Sequence, residues 1–249
     1  MVNFSLPYTF AGLCDIGSHR DTNQDRIILY PDQNFFAVSD GMGGLLYGED
    51  SAIYVSTSMP KLMDVLAENC SENTTAEDGA KMIENSVRML SDSLFRKGNG
   101  YDRFDYGATL AGVWLFQDEA IFVGLGDSRG YLLHEDELTQ ITEDMNIAGL
   151  MVRNGMMTKE EAMNSPASSR LTAFVGMEVP AEPATWRVSP QPGDKILLCS
   201  DGLHGMVPEK DIRKILKADE TPEKICHKFI HSANKHGGRD NISAVVIDF

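Results

Sequence analysis

Apolar and polar positions fall into short runs at both ends of this chain. Residues 9–16, 26–30 and 35–39 are β-rich, each bounded by Asp, Asn, Pro or Gly, and read as strands. Two longer segments follow at 45–57 and 76–95. In the second, Ile83, Val87, Leu90 and Leu94 recur at spacings of 4, 3 and 4, the stripe of an amphipathic helix laid on a sheet. Strand character returns at 107–116, 120–125 and 130–134, across breaks short enough to predict antiparallel neighbours. Residues 144–183 change the pattern. Met-rich helical pieces, a capping box from Thr158 to Glu161 and a Ser/Pro/Ala stretch predict a flap inserted into the fold. Residues 185–188 and 195–199 are strands again, Thr221-Pro222 opens a helix to residue 235, and 243–249 closes the chain as a strand. Blocks of strands flanked by helices without strict alternation predict a layered α+β fold rather than a parallel βαβ array.

Composition narrows the partners. The 249 residues are 42% hydrophobic, enough to bury a sizeable core, and with no repeat or low-complexity linker they predict a single domain over 1–249. A formal charge of −15 repels phosphate backbones and anionic lipid, so neither nucleic acid nor a membrane is an expected partner. No run of about 18 uncharged apolar residues is present, and residues 1–10 lack a basic start and an apolar run. Cys14, Cys70, Cys199 and Cys226 are scattered and form no C-x-x-C pair. A reduced, cytoplasmic monomer is the expectation. If such a chain handles phosphate, something must supply positive charge.

The candidate chemistry lies in aspartates at strand ends beside Gly or Asn. Ser39-Asp40-Gly41, Gly126-Asp127-Ser128, Ser200-Asp201-Gly202 and Arg239-Asp240-Asn241 share one design: an apolar strand carries a carboxylate to its rim and glycine permits close approach. A single Asp-Gly after a strand is usually a turn. Four of them converging would repel one another unless cations sat between, and hard oxygen donors select Mg²⁺ or Mn²⁺ over Zn²⁺.

The ordered set Arg20-Asp21-Thr22-Asn23-Gln24-Asp25, Ala37-Val38-Ser39-Asp40-Gly41-Met42-Gly43-Gly44, Gly107-Ala108-Thr109-Leu110, Gly126-Asp127-Ser128-Arg129, Ser200-Asp201-Gly202-Leu203 and Gly238-Arg239-Asp240-Asn241-Ile242-Ser243 resembles the metal-dependent protein Ser/Thr phosphatases of type 2C, the PPM family, in their compact bacterial form. The resemblance implies a four-layer α-β-β-α sandwich, two antiparallel sheets flanked by helices, with a dinuclear Mg²⁺ or Mn²⁺ centre at one end. On this resemblance Asp40 bridges the two metals and the Gly41 carbonyl binds one of them. Asp201 and Asp240 hold the other, Asp25 sits beside the second metal, and Asp127 with Asp201 marks a weaker third ion. Arg20 matches the arginine that grips substrate phosphate. The implied reaction is hydrolysis of phosphoserine or phosphothreonine by direct attack of a metal-bridging water, on phosphoproteins made by a Ser/Thr kinase. The alternatives are a phosphatase-like regulatory module with weakened metal sites and a small-molecule phosphatase.

Departures from the family pattern bear on metal binding, on protonation of the leaving group and, in the flap, on substrate choice. Gln24 stands where many members carry Glu, Met42 where animal-type members carry His, and Gly205 where Asp is frequent. In the flap, Asp144-Met145-Asn146 replaces the usual Asp-His-Ser, which makes Asp144 and Asn146 candidate flap residues. His227 and His231 have the spacing of a metal pair on a helix, but no Glu follows His227, and a solvated helix face is the expectation.

Overall fold

The computed structural model describes residues 4–42, 47–99, 106–163 and 165–249. Its strands in chain order are β1 (Thr9–Asp15), β2 (Asp25–Tyr30), β3 (Phe35–Asp40), β4 (Leu110–Phe116), β5 (Glu119–Leu125), β6 (Arg129–His134), β7 (Glu137–Gln140), β8 (Ala184–Val188), β9 (Lys195–Cys199) and β10 (Ile242–Asp248). The helices are α1 (Gly48–Asn69), α2 (Ala76–Leu94), α3 (Ile147–Arg153), α4 (Lys159–Met163), α5 (Asp201–His204), α6 (Glu209–Leu216) and α7 (Pro222–Lys235). One sheet runs β1-β10-β9-β6-β7 and the other β2-β3-β4-β5-β8, and every pairing is antiparallel.

Strands buried on both faces explain the continuous apolar runs. In β3 and β4, Phe35, Ala37, Leu110 and Trp114 face α1 and α2, while Phe36, Val38, Ala111 and Val113 face the other sheet. In β9 and β10, Leu197, Cys199, Ala244 and Val246 pack against α6 and α7, while Ile196, Leu198, Val245 and Ile247 close the space between the sheets. Three apolar layers thus separate four layers of secondary structure, as the α+β sandwich predicted. The Ile83, Val87, Leu90 and Leu94 stripe of α2 is buried, and a Thr75–Asp78 capping box starts that helix.

The fold departs from the sequence pattern at three places. β5 and β6 are not paired neighbours, because β4 and β8 take both edges of β5 and the chain crosses to the other sheet at Gly126, whose φ is 114°. β6 instead pairs with β7, whose Glu-Leu-Thr-Gln sequence is too polar to be read as a strand and is placed by a two-residue turn with Glu135 at φ 52°. The longer segment that the pattern bounds at residues 45 and 57 forms a helix from Gly48 to Asn69 that passes through Pro60. An internal proline costs about 3 kcal/mol, and burial of Val55, Met59, Met63 and Leu66 along one face outweighs it. Residues 45 and 46 lie outside the described residues, as do Gly43 and Gly44.

Candidate active site

Antiparallel pairing brings the aspartates to one end of the sandwich. Asp25 opens β2 and is the register partner of Asp40, which ends β3. Asp201 follows the end of β9, Asp240 precedes the start of β10, and these two strands pair through Cys199 and Ala244. Asp127 lies in the crossing between β5 and β6, close to Arg129, the register partner of Cys199. Each carboxylate is therefore delivered by a strand end rather than by a free loop.

Asp40 stands within hydrogen-bonding reach of both Asp25 and Asp201, and it feels the charges of Asp127 and Asp240 as well. Burial, reinforced by Asp25, Asp201, Asp127 and Asp240, holds Asp40 well above the usual carboxylate range. Burial pushes Asp25 up to about 7; Asp201 adds to it, against the pull of Ser200 and Ser243. Burial and then Asp201 push Asp127 up to about 7, and burial with Asp240 raises Asp201. Ser200 and Ser243 donate to Asp25 Oδ2 at 2.6 and 2.8 Å. Asp25 Oδ1 and Asp201 Oδ1 are buried and meet no hydrogen-bond donor among the described residues. Carboxylate oxygens that face one another with no donor between them fit a set of hard cations, as the donor chemistry does. Among the described residues no three His, Cys, Asp or Glu side chains are closed to the spacing of a filled metal site.

Glycine is required at two places here. A Cβ on Gly41 would lie 2.1 Å from the Gly48 carbonyl oxygen, so the start of α1 can rest on the backbone beside Asp40 only without a side chain. A Cβ on Gly202 would lie 1.9 Å from the Asn241 carbonyl oxygen, so its absence permits the Asp201 and Asp240 segments to touch.

The sequence-predicted residues divide into those brought together and those given another task. Arg20 sits at the mouth of the cluster, its Nη2 donating to Asp240 Oδ2 at 2.7 Å. Asp240 and, more weakly, Asp201 and Asp40 raise its pKa. Asp144 is not free on the flap: Arg129 donates to both its oxygens, at 2.8 and 2.6 Å, and Gln140 adds a third bond. Asn146 caps α3 by accepting from the Gly149 N–H and donates its Nδ2 to Asp127 Oδ2 at 3.0 Å. His227 and His231 are exposed on α7.

Several supporting residues are not singled out by sequence reasoning. Ser200 and Ser243 hold Asp25. The Thr109 hydroxyl accepts from the Asp40 N–H at 3.0 Å, and Asn241 accepts from the Gln24 N–H while donating to the Ile16 and Thr22 carbonyls, so it ties the Arg20 loop to the Asp240 loop. His204 Nε2 lies 3.0 Å from the Asp127 carbonyl, and burial lowers its pKa to about 3, so it stays neutral. The available signal for Ser200, Ser243, Thr109 and Asn241 is their place within the same motifs as the aspartates; His204 carries none.

Comparison with known proteins agrees with this constellation. Residues 18–242 match the family model for protein phosphatase 2C, a span that takes in all five aspartates and Arg20. The serine/threonine phosphatase stp of Listeria innocua is 33% identical over 241 residues, covering 94% of this chain and 93% of that one. The fold superposes on the Mycobacterium tuberculosis serine/threonine phosphatase PstP/Ppp with a TM-score of 0.83 at 32% identity, covering 98% of this chain and 99% of the other. It also matches the catalytic domain of PstP solved with two manganese ions, with a TM-score of 0.80 at 31% identity and 97% of each chain covered. With its strand-end aspartates meeting at one end of the sandwich, the chain belongs to the protein phosphatase 2C family of metal-dependent protein Ser/Thr phosphatases.

Proposed function

We propose that Asp40, with the Gly41 carbonyl, Asp25, Asp201 and Asp240, holds two Mg²⁺ or Mn²⁺ ions, that Asp127 with Asp201 holds a weaker third, and that Arg20 binds the phosphoryl group of a phosphoserine or phosphothreonine protein. The observation that carries this reading is Asp40 within reach of both Asp25 and Asp201, each of which has a buried oxygen without a hydrogen-bond partner among the described residues. When bound, divalent ions neutralise phosphoryl charge and bring a water's pKa near neutrality. The protein's own residues do the rest. Ser200 and Ser243 fix one oxygen of Asp25 and leave the other for a cation. Arg20 commits one Nη2 hydrogen to Asp240 among the described residues, so the second Nη2 hydrogen, with the neighbouring Nη1 or Nε hydrogen, remains as a fork for two phosphoryl oxygens. Asp240 both steers that fork and serves the metal side, which places substrate beside the charge that activates it.

Phosphoproteins supplied by a Ser/Thr kinase are the substrate class this reading implies, in a single catalytic domain over residues 1–249. Among the described residues no helix is long and apolar enough to cross a membrane. The direct test is hydrolysis of a phosphothreonine peptide with Mn²⁺ and with EDTA, alongside calorimetric titration of the stripped protein. Turnover that requires Mn²⁺ and a stoichiometry of at least two ions are expected; equal rates with EDTA overturn the reading. Loss of the Arg20 fork removes charge-assisted bonds worth about 1.5–3 kcal/mol. Arg20→Ala should therefore lower kcat/KM roughly 10- to 100-fold, chiefly through KM, with Mn²⁺ stoichiometry unchanged by calorimetry.

A further inference from the structure

A cavity beside the carboxylates is lined by a cationic side chain that the hydrolytic site does not use. Its volume is about 240 Å³, and it lies between Asp201 and Asp240 on one side and Met163, Ser168 and Ser169 of the flap on the other. Two arginines line it. Arg129 is spent on Asp144. Arg239 is exposed and makes no hydrogen bond or ion pair with any described residue. In a chain of charge −15, an arginine left without a carboxylate at the rim of an anion-handling site stands out as a binding group rather than a structural one.

The loop that carries it is held from both sides. The Ser18 N–H donates to the Gly238 carbonyl at 2.7 Å, the Gly238 N–H donates to the Ala233 carbonyl, and the Asn241 side chain is fastened to Ile16, Thr22 and Gln24. Gly237 at φ 127° and Gly238 at φ 53° let the chain turn tightly before Arg239. The backbone is thus preorganised while the guanidinium stays uncommitted, so capturing an anion has only the Arg239 side chain left to order.

We infer that Arg239 determines specificity by receiving a second anionic group of the substrate, an Asp or Glu carboxylate next to the residue being dephosphorylated. This rests on the reading above that the carboxylate cluster hydrolyses a phosphoprotein. Arg20 and Arg239 flank Asp240 in different roles: Arg20 is already tied to that carboxylate, and Arg239 faces the cavity that leads under the flap. A guanidinium fork matches carboxylate and phosphate geometry, and at an exposed rim its contribution weakens with salt.

The test compares two phosphothreonine peptides that differ only in Glu or Ala beside the phosphothreonine, with Mn²⁺ present. The wild-type protein should favour the Glu peptide by about fivefold in kcat/KM, mainly through KM, at low salt. Arg239→Ala should bring that ratio close to one. Equal turnover of the two peptides by a Mn²⁺-dependent wild-type enzyme overturns the role of Arg239 alone, as does an equal loss on both peptides in Arg239→Ala. Hydrolysis that needs neither Mn²⁺ nor Asp40 overturns the site reading and this inference with it.

Discussion

Asp40→Asn should abolish phosphatase activity and at the same time stabilise the metal-stripped protein. Burial opposes the charge of Asp40, and the charges of Asp25, Asp201, Asp127 and Asp240 oppose it further when no cation is present. Removing it relieves repulsion in a buried cluster, and the melting temperature in EDTA should rise by a few degrees. Metal activation supplies several kcal/mol of transition-state stabilisation, so its loss should cost at least about 10³-fold in kcat. The rise in melting temperature that Mn²⁺ gives the wild-type protein should vanish in the variant, since ligand stabilisation follows the affinity for the folded state. Parallel melting curves and turnover assays with Mn²⁺ and EDTA check all three. An Asp40→Asn variant that keeps Mn²⁺-dependent turnover would refute the bridging role.

This opposition between stability and function explains which parts of the site are legible in the sequence. A carboxylate next to glycine at the end of an apolar strand is locally unfavourable unless something outside the chain compensates, and four repetitions of that conflict mark the site. Convergence itself is not readable. It depends on β9 pairing with β10, and on the β2–β3 hairpin stacking against them, across separations that local pattern does not encode. The apolar runs of β3, β4 and β9 are legible because both faces are buried, whereas β7 is not, since its exposed polar edge obeys the pairing of β6 and not its own composition. The close spacing of β5 and β6 misleads for a related reason: nearness in sequence predicts pairing only when an edge is free, and β8 occupies it. Short polar residues such as Ser200 and Thr109 become informative only once their carboxylate partners are placed.

Asp144 shows the same lesson and leads to the second large effect. From sequence it is a flap residue; in the fold it is the partner of a largely buried arginine. The Arg129 and Asp144 side chains are 14% and 15% exposed and joined by two parallel bonds. Burial alone would raise Asp144, yet Arg129 overrides it and holds the carboxyl below its usual value; burial pulls Arg129 down, but Tyr131 and Asp144 outweigh it. Asp144→Ala leaves a guanidinium buried without its counterion, which costs about 3–5 kcal/mol. Replacing both by apolar residues, Arg129→Met with Asp144→Leu, removes the desolvation penalty along with the attraction and should recover most of that loss. Because the folded pKa of Asp144 is depressed, the pair's stabilisation is fully present above the unfolded value of about 3.9 and fades as pH falls through the folded pKa. Urea unfolding at neutral pH should therefore separate wild type from Asp144→Ala widely, and the gap should narrow below about pH 4. A single variant as stable as wild type at neutral pH would mean that Arg129 finds another anion.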